Sequence, residues 1–464
     1  MRAFSVAMTA DDAESLLRHF DKGPRQEDLT FAAWRLSEGS DRDTAILTRL
    51  LLPQPAERIL NGNVSFTSDY AQRALGELEL GEGLALLHGH LGPGWQGMSS
   101  DDVVAERDRL ASAALGRTRL PLVGLTAGTD GSWSARRWIR VAAGKHERHW
   151  AATVRVVGRR LRLTYHPDLM PAPRAPEGQL ATVSVWGKEN QADLVRCRVG
   201  IVGLGSVGSL VAECLARIGV NAFTLIDPDR MELRNLDRTA GGRFDDARDQ
   251  LRKVDVAERN IRAVGTAVRL EIRTLPTSLL IREGLAAALD CDVLFSCVDR
   301  PWPRHVLNSI AYAHLIPVID GGIFALADGD RFVHADWRMH TVGPQRSCLV
   351  CLGAVDPGDI ALDIDGKLDA PDYIKNLDDA SQRLLSRRNV FPFSMSVAAH
   401  EVLQFVGCIT GLDGVGGIGP QRYRAYPGAM EVEPQPICVP GCGYAALTAS
   451  AADLSGNLRA NGAA

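Results

Sequence analysis

The sequence predicts an α/β protein of two domains, in which the second domain has a mostly parallel sheet with helices on both faces. The 464 residues are too many for one ordinary core. A proline-rich stretch without periodicity, residues 166–180, divides the chain. Beyond it, short apolar runs alternate with helix-length amphipathic segments, which is the pattern of a parallel sheet covered by helices.

Composition excludes several classes of protein. An apolar fraction of 45% and a charged fraction of 23% are those of a globular chain. The net charge is -4, with acids and bases mixed throughout, so no basic face is expected to bind nucleic acid. The chain does not open on a secretory signal pattern, and no stretch approaches the roughly eighteen apolar residues of a membrane span. We therefore expect a cytoplasmic protein.

The proline-rich stretch sets the predicted boundaries. Residues 1–165 are expected to form the first domain, 166–180 an exposed connector and 181–448 the second domain. The small and polar residues 449–464 are expected to form a flexible tail.

The first domain is predicted to be mixed α/β. Strands are expected at 29–36, 44–52, 83–90 and 120–128. Helices are expected at 68–80 and 100–116, where apolar residues recur three and four positions apart.

A glycine turn marks the start of the second domain's predicted sheet, whose strands are expected at 198–205, 222–229, 268–275, 291–299 and 316–322. The turn contains Gly203, Gly205, Ser206 and Gly208 and leads into an amphipathic helix. Glycines let the backbone approach a phosphate, and a helix N-terminus offers unpaired amides. Asp227 ends the next strand, where a carboxylate can bind a ribose. The pattern predicts a Rossmann-type nucleotide site, but alone it leaves a dehydrogenase open.

Charged residues beyond the second strand favour a nucleoside triphosphate. Asp229, Asn235 and Arg238 follow that strand closely, and Lys253 lies further on. Such cations neutralise the charge that develops when pyrophosphate leaves the α-phosphorus. Asp299 ends another strand at the carboxyl edge of the sheet, where it can hold Mg²⁺.

These motifs together resemble the ThiF/MoeB/ubiquitin-activating (E1-like) adenylation family over about residues 198–324, because Arg304 and Asn308 also follow Asp299 at the family's spacing. The resemblance implies that ATP and Mg²⁺ bind here. It places Asp227 and Asp229 beside the ribose, Asn235, Arg238 and Lys253 around the phosphates, and Asp299 on the magnesium.

The segment before the first strand departs from this family. Members often form homodimers and carry an arginine there that reaches the partner subunit's nucleotide. In residues 181–194 of this chain the basic residue is Lys188 instead. We still expect a homodimer, with the donor arginine either missing or located elsewhere.

Four of the nine cysteines form two close pairs, Cys348 with Cys351 and Cys438 with Cys442. Two such pairs in a reducing compartment predict a tetrahedral structural zinc site. Two alternatives remain: the four are unrelated thiols, or one of them is a thioester nucleophile. Residues 352–392, where enzymes of the resembled family often carry that nucleophile, contain no cysteine.

The first domain carries a second candidate metal site. His88 and His90 lie two positions apart on a predicted strand and therefore share a face. Ser99 and Asp102 open the helix that follows, so Asp102 can supply a third ligand, and Glu27 is the candidate general base. This set resembles the JAMM (MPN-type) zinc metallopeptidases, although Leu91 stands where proline is usual and the span to Asp102 is longer by one residue.

The two resemblances imply one function. The second domain would adenylate the C-terminal glycine of a small ubiquitin-like protein, with an E2-like protein as a further partner. The first domain would process or remove the same protein. Such fusions occur in bacterial ubiquitin-like operons, some of which serve antiviral defence. The alternatives are a sulfur-carrier adenylyltransferase of cofactor biosynthesis and a non-catalytic scaffold that binds nucleotide.

Overall fold

The chain folds into two compact units, each built on one large sheet. The computed structural model describes residues 2–21, 23, 26–61, 63–328, 331–370, 389–411, 419–433 and 437–459. Unit 1 comprises Met1–Ala172 and Ala449–Ala452, and unit 2 comprises Pro173–Thr448 and Asp453–Ala464. The sheets have nine and eight strands.

The nine-stranded sheet of unit 1 is mixed, with the order β11-β10-β1-β3-β2-β6-β7-β8-β9. Its strands are β1 (Ala3–Thr9), β2 (Leu29–Glu38), β3 (Arg42–Leu51), β6 (Gly83–Gly89), β7 (Leu122–Ala127), β8 (Trp133–Ala142), β9 (Lys145–Trp150), β10 (Thr153–Val157) and β11 (Leu161–Tyr165). A separate hairpin joins β4 (Arg58–Asn61) and β5 (Asn63–Phe66).

Helices cover both faces of this sheet. They are α1 (Ala10–Phe20), α2 (Ser68–Gly76), α3 (Ser100–Val103) and α4 (Ala111–Thr118), with a π-helical segment (Val104–Leu110) between the last two. The side chain of Thr9 caps α1, which buries Leu16 and Phe20 in one apolar cluster. The other face of the sheet holds a second cluster around Phe31 and Tyr70. Unit 1 is thus a mixed α/β unit of three layers.

The eight-stranded sheet of unit 2 has the order β14-β13-β12-β15-β16-β17-β18-β19. Its strands are β12 (Arg198–Val202), β13 (Ala222–Ile226), β14 (Glu271–Leu275), β15 (Val293–Ser296), β16 (Val318–Asp328), β17 (Arg331–Val342), β18 (Gln421–Arg424) and β19 (Ala429–Val432). The first five strands in this order, from β14 to β16, run parallel to one another. Strands β17, β18 and β19 extend the sheet at the β16 edge with antiparallel pairing. The predicted fold class is confirmed.

The strand order reverses between β12 and β15. In open α/β sheets ligands bind outside the carboxyl ends of the strands at such a switch point. The helices around this sheet are α5 (Leu180–Trp186), α6 (Lys188–Arg196), α7 (Ser206–Arg217), α8 (Phe244–Arg248), α9 (Lys253–Val264), α10 (Arg282–Ala288), α11 (Pro301–Ala313), α12 (Pro357–Ile364), α13 (Phe391–Thr410) and α14 (Gly443–Ala446).

Helix α13 is long and apolar enough to cross a membrane by length and composition, which the search for apolar runs did not anticipate. Its most apolar window is 56% buried inside the structure. The helix packs on α7, β16 and β17, so it serves as a core helix of unit 2.

Several expected boundaries need correction. The predicted helix 68–80 ends at Gly76, and the predicted helix 100–116 is interrupted by the π-helical segment. The connector 166–180 is not exposed throughout, because His166 and Gln179 are 5% and 3% exposed. The tail is not free over 449–459 either, since Leu454 is 4% exposed. Residues 460–464 lie outside the described part of the chain.

Candidate functional site

The glycine turn after β12 requires glycine at two of its positions. Gly203 has φ of +89°, and a Cβ atom on it would lie 2.6 Å from the carbonyl oxygen of Cys297. A Cβ atom on Gly208, in the first turn of α7, would overlap the carbonyl oxygen of Gly203. The turn is therefore packed tightly between α7 and the segment after β15.

The N-terminus of α7 is open. Gly205 is the residue before the helix, and no side chain of the described residues caps the helix there. Within the described part of the chain, no neighbouring atom lies within 4 Å of the position that a Cβ atom on Gly205 would take. Asn389 Nδ2 donates a hydrogen bond of 2.8 Å to Ser206 Oγ at the edge of this space. Unpaired helix amides beside open space suit a phosphate group.

Asp227 holds the turn from the next strand. It is 4% exposed, and its two carboxylate oxygens accept hydrogen bonds from the amides of Leu204 at 2.6 Å and Asp229 at 2.8 Å. Burial raises the pKa of Asp227 above its ordinary value, although the charge of Lys253 opposes the rise. The remaining lone pairs of this carboxylate can accept ribose hydroxyl groups.

The predicted cations stand next to carboxylates. Lys253 Nζ lies 2.7 Å from Asp229 Oδ2, at the first residue of α9. Arg238 Nη1 lies 2.8 Å from the oxygen Oδ1 of its neighbour Asp237. A bound polyphosphate would compete with these carboxylates for the cations.

The predicted nucleotide residues line one cavity of about 1020 Å³ at the switch point. Those on its wall are Gly203, Gly205, Ser206, Asp227, Asp229, Asn235, Arg238, Lys253 and Asp299. Gly208 supports the turn from behind. Asn235 is itself part of a local cap, since its Oδ1 accepts the amide hydrogen of Glu232 at 2.9 Å. The volume, the open helix N-terminus, the cations and the carboxylate of Asp299 together fit a magnesium-bound nucleotide.

Sequence reasoning missed a buried charge cluster in the cavity wall. Asp320 is fully buried, and its oxygens face Arg304 Nε at 3.2 Å and Arg338 Nη1 at 2.9 Å. Ser296 Oγ donates a further hydrogen bond of 2.7 Å to Asp320. Burial lowers the pKa of Arg338, which the charge of Asp320 partly offsets. The strand-end sequence of Asp320 and two glycines was a usable signal, but its partner Arg338 lies on β17.

Glu401 of α13 lies behind this cluster. It is fully buried, and its Oε1 has no hydrogen-bond partner among the described residues. A Cβ atom on Gly321 would overlap that oxygen, and Cys297 Sγ lies 4.0 Å from the other. Burial, reinforced by the charge of Asp320, raises the pKa of Glu401 well above its ordinary value. Burial at this position therefore favours the neutral form of the carboxyl group.

The four cysteines meet at one point of unit 2. Their sulfur atoms all lie within 4.8 Å of one another, and Cys348 Sγ and Cys442 Sγ are 3.7 Å apart. The amide of Cys351 donates to Cys348 Sγ, and the amide of Cys348 donates to Cys438 Sγ, both at 3.2 Å. Amide donors stabilise thiolates, so this donor set fits a tetrahedral zinc ion.

In unit 1 the three predicted metal ligands also converge. His88 Nε2 and His90 Nε2 are 3.2 Å apart, and they lie 3.4 and 3.3 Å from the two oxygens of Asp102. Ser99 and Asp102 form a reciprocal capping box, which fixes the carboxylate. Burial alone would raise the pKa of Asp102, but the hydrogen bonds from His88 and His90 bring it well below the ordinary value. The Asp102 hydrogen bond raises the pKa of His90, and the charge of the half-buried Glu27 adds to the rise.

A buried ion pair behind His88 escaped sequence reasoning. Arg136 and Glu106 are both fully buried and paired, and Trp138 Nε1 donates to Glu106 at 2.7 Å. Arg136 also donates to Thr126, whose Oγ1 lies 3.2 Å from His88 Nε2. Nothing in the local pattern of β8 marks Arg136 as an interior residue.

Comparisons of sequence and of structure relate part of unit 2 to known proteins. Residues 177–383 match the ThiF family. The chain is 30% identical to ubiquitin-like modifier-activating enzyme 5 of Xenopus laevis over 131 residues, which are 26% of this chain and 32% of that protein. It is 33% identical to the same enzyme of Gallus gallus over 121 residues, or 24% of this chain and 30% of that protein. The chain thus spans about a third of the length of the curated relatives it matches.

A solved structure of E. coli MccB with ATP is similar with a TM-score of 0.44 and 16% identity, covering 59% of this chain and 76% of that chain. Residues 177–383 therefore form a ThiF-family domain.

Proposed function

We propose that unit 2 uses ATP to adenylate the C-terminal carboxylate of a small ubiquitin-like protein. The observation that carries this proposal is the single cavity in which the glycine turn, Asp227, Lys253 and Asp299 meet at the switch point of the sheet. The ThiF-family match and the similarity to ubiquitin-like modifier-activating enzyme 5 support it.

The reaction follows from the charges of the wall. A carboxylate oxygen of the protein substrate attacks the α-phosphorus of ATP, and the bond from that phosphorus to the bridging oxygen breaks. Pyrophosphate leaves with the electron pair, so negative charge grows on the phosphate oxygens. The side chains of Lys253 and Arg238 stabilise this negative charge, and the amides at the N-terminus of α7 orient the phosphates. Mg²⁺, when bound, would neutralise the polyphosphate, and Asp299 is the residue placed to hold it.

A carrier-dependent exchange of labelled pyrophosphate into ATP tests this proposal. Asp299→Ala should abolish exchange, because it removes the carboxylate that is proposed to hold the metal. Asp245→Ala is a matched control, since Asp245 is 71% exposed on α8 and its carboxylate pairs with Arg248. Exchange that survives in Asp299→Ala would contradict the assignment of the cavity.

The same assay separates the alternatives. A sulfur-carrier adenylyltransferase would show exchange with a sulfur-carrier protein and none with a ubiquitin-like conjugation protein. A nucleotide-binding scaffold would bind ATP and show no exchange with either. A dehydrogenase would bind reduced nicotinamide in preference to ATP.

We propose a second function for unit 1, a zinc-dependent cleavage that processes or removes the same ubiquitin-like protein. The observation in its favour is the convergence of His88, His90 and Asp102, whose ligand atoms all lie within 4.8 Å of one another. Two imidazoles and one carboxylate suit a catalytic zinc ion with an open position. Zinc, when bound, would supply an activated water, and Glu27 is the carboxylate available to accept a proton.

Zinc content and cleavage of the precursor protein test unit 1 together. Asp102→Asn should lower the zinc content, because it removes the charged ligand. Glu27→Gln should retain zinc and lose cleavage, whereas Glu14→Gln on the exposed face of α1 should behave as the wild type. Cleavage that resists chelators would refute the metal-dependent mechanism.

A further inference from the structure

The last described residues of the chain, 453–459, lie against the nucleotide cavity of unit 2. We name them the C-terminal strap. The amide of Arg459 donates a hydrogen bond of 2.8 Å to the carbonyl of Leu280, and Trp302 Nε1 donates one of 2.8 Å to the carbonyl of Asn457. Leu454 is buried at the start of the strap. Backbone groups thus fix the strap at two points.

The two anchor points belong to segments that line the cavity. Leu280 follows β14 and is itself part of the cavity wall, and Trp302 lies in the first turn of α11, which follows β15 and also contributes residues to the wall. The strap contacts both segments within three residues, Asn457 to Arg459, so this end of the strap lies at the edge of the cavity.

The side chain of Arg459 is part of the cavity wall. Its guanidinium lies 5.7 Å from the ring centroid of Trp302, three residues after Asp299. The cation therefore stands on the Asp299 side of the opening, where the far phosphates of a magnesium-bound nucleotide would lie.

Arg459 also differs from most cations of the cavity in its charge environment. Lys253, Arg238, Arg300 and Arg304 each have a carboxylate within ion-pair distance. Among the residues that the structure describes, Arg459 has none, and it shares this property with Arg422 on the edge strand β18. A guanidinium without a counter-charge in a cavity wall is suited to an anionic ligand, and its planar fork matches phosphate.

We propose that the C-terminal strap forms part of the wall of the nucleotide site and that Arg459 binds the outer phosphates of ATP. The inference rests on the proposed nucleotide site of unit 2. It gives a binding role to a segment whose composition suggests only a tail.

Nucleotide binding to the full-length protein tests the inference without any carrier protein. ATP and AMP are titrated by calorimetry into the wild type, Arg459→Ala and Arg459→Lys. Losing a charge-assisted contact should weaken ATP binding by about 10-fold or more in Arg459→Ala. AMP lacks the outer phosphates, so its binding should change by less than about 3-fold. Arg459→Lys keeps the charge without the fork and should fall between the two.

Controls keep the result specific. Arg262→Ala removes an arginine that is 52% exposed on α9 and paired with Glu258, and it should bind as the wild type does. Thermal unfolding of Arg459→Ala shows whether the variant keeps its fold. A chain that ends after Arg459 should also bind ATP normally.

The outcomes separate this inference from the function on which it rests. If the wild type binds no ATP, the proposed function fails and the inference fails with it. If the wild type binds ATP and Arg459→Ala binds it equally well, the inference alone is refuted. An equal loss for ATP and AMP would refute the phosphate contact, and tighter binding in Arg459→Ala would show that the strap obstructs the cavity.

Discussion

The glycine turn after β12 offers a matched pair of substitutions, and the first member, Gly203→Ala, should damage the fold. Gly203 has φ of +89°, where an L residue is strained by about 1–2 kcal/mol. The new methyl group would also lie 2.6 Å from the carbonyl oxygen of Cys297, which is backbone and cannot turn away. Overpacking of this kind costs a further amount of about 1–3 kcal/mol. We expect the free energy of unfolding to fall by about 2–5 kcal/mol.

The second member, Gly205→Ala, should leave the fold intact and damage only binding. Gly205 has φ of -78°, which L residues adopt, and its new methyl group would meet no atom of the described residues within 4 Å. The stability should therefore stay within about 0.5 kcal/mol of the wild type. If a phosphate lies against the amides of α7, the methyl group takes part of its space. We expect at least a 10-fold loss of ATP affinity, or about 1.4 kcal/mol.

Urea unfolding and calorimetric titration with ATP, both on the full-length chain, measure the two effects. The reasoning requires a stability loss in Gly203→Ala and a binding loss without a stability loss in Gly205→Ala. A Gly205→Ala protein that binds ATP like the wild type would show that no phosphate lies at the turn. A Gly203→Ala protein of unchanged stability would show that the turn accommodates a side chain.

Two further predictions concern buried groups of unit 2. The pKa of Glu401 is raised because ionisation is disfavoured in the core. The contribution of this group to the free energy of unfolding is therefore fully present below the ordinary pKa of a glutamate, and it is lost as pH rises through the raised pKa. The free energy of unfolding of Glu401→Gln should therefore depend less steeply on pH than that of the wild type or of the exposed control Glu283→Gln. The slopes should differ by at most about 1.4 kcal/mol per pH unit. Equal slopes would contradict a raised pKa for Glu401. Chelators should lower the unfolding temperature of the wild type and of Cys214→Ser by more than that of Cys351→Ser, whose cysteine site has lost a ligand. A wild-type protein that holds no zinc would refute the cysteine site.

Local sequence predicted the nucleotide site well because its parts are short and adjacent. The strand, the turn and the helix from Arg198 to Arg217 follow one another without a break, and Asp227 ends the next strand. Asp299 is distant in sequence, but parallel strands bring their carboxyl ends to one edge. The five parallel strands carried enough apolar residues to be predicted from periodicity.

Long-range pairing explains what the sequence did not predict. Strand β17 alternates polar and apolar residues from His334 to His340, and Arg338 becomes part of the cavity's charge cluster because it pairs with the buried Asp320 on β16. The same is true of Arg136 on β8, whose partner Glu106 lies on the π-helical segment. The tail was predicted as flexible from its small residues, yet its position depends on Leu280 and Trp302. A partner distant in the chain leaves no periodic signal.

The metal site of unit 1 shows how one local motif can set a geometry that spacing alone leaves open. His88 and His90 share a face because they are two residues apart at the end of β6, but that says nothing about a third ligand. The position of Asp102 is set by the capping box, in which its Oδ2 accepts the amide hydrogen of Ser99 at 2.7 Å. Ser99 thus acts on the carboxylate from the helix N-terminus and not as a ligand. In return, Ser99 Oγ accepts the amide hydrogen of Asp102 at 3.1 Å. We infer that Ser99→Ala, which removes this acceptor and keeps the backbone donor, would loosen the helix start that positions Asp102 and weaken zinc binding while all three ligand residues remain in place.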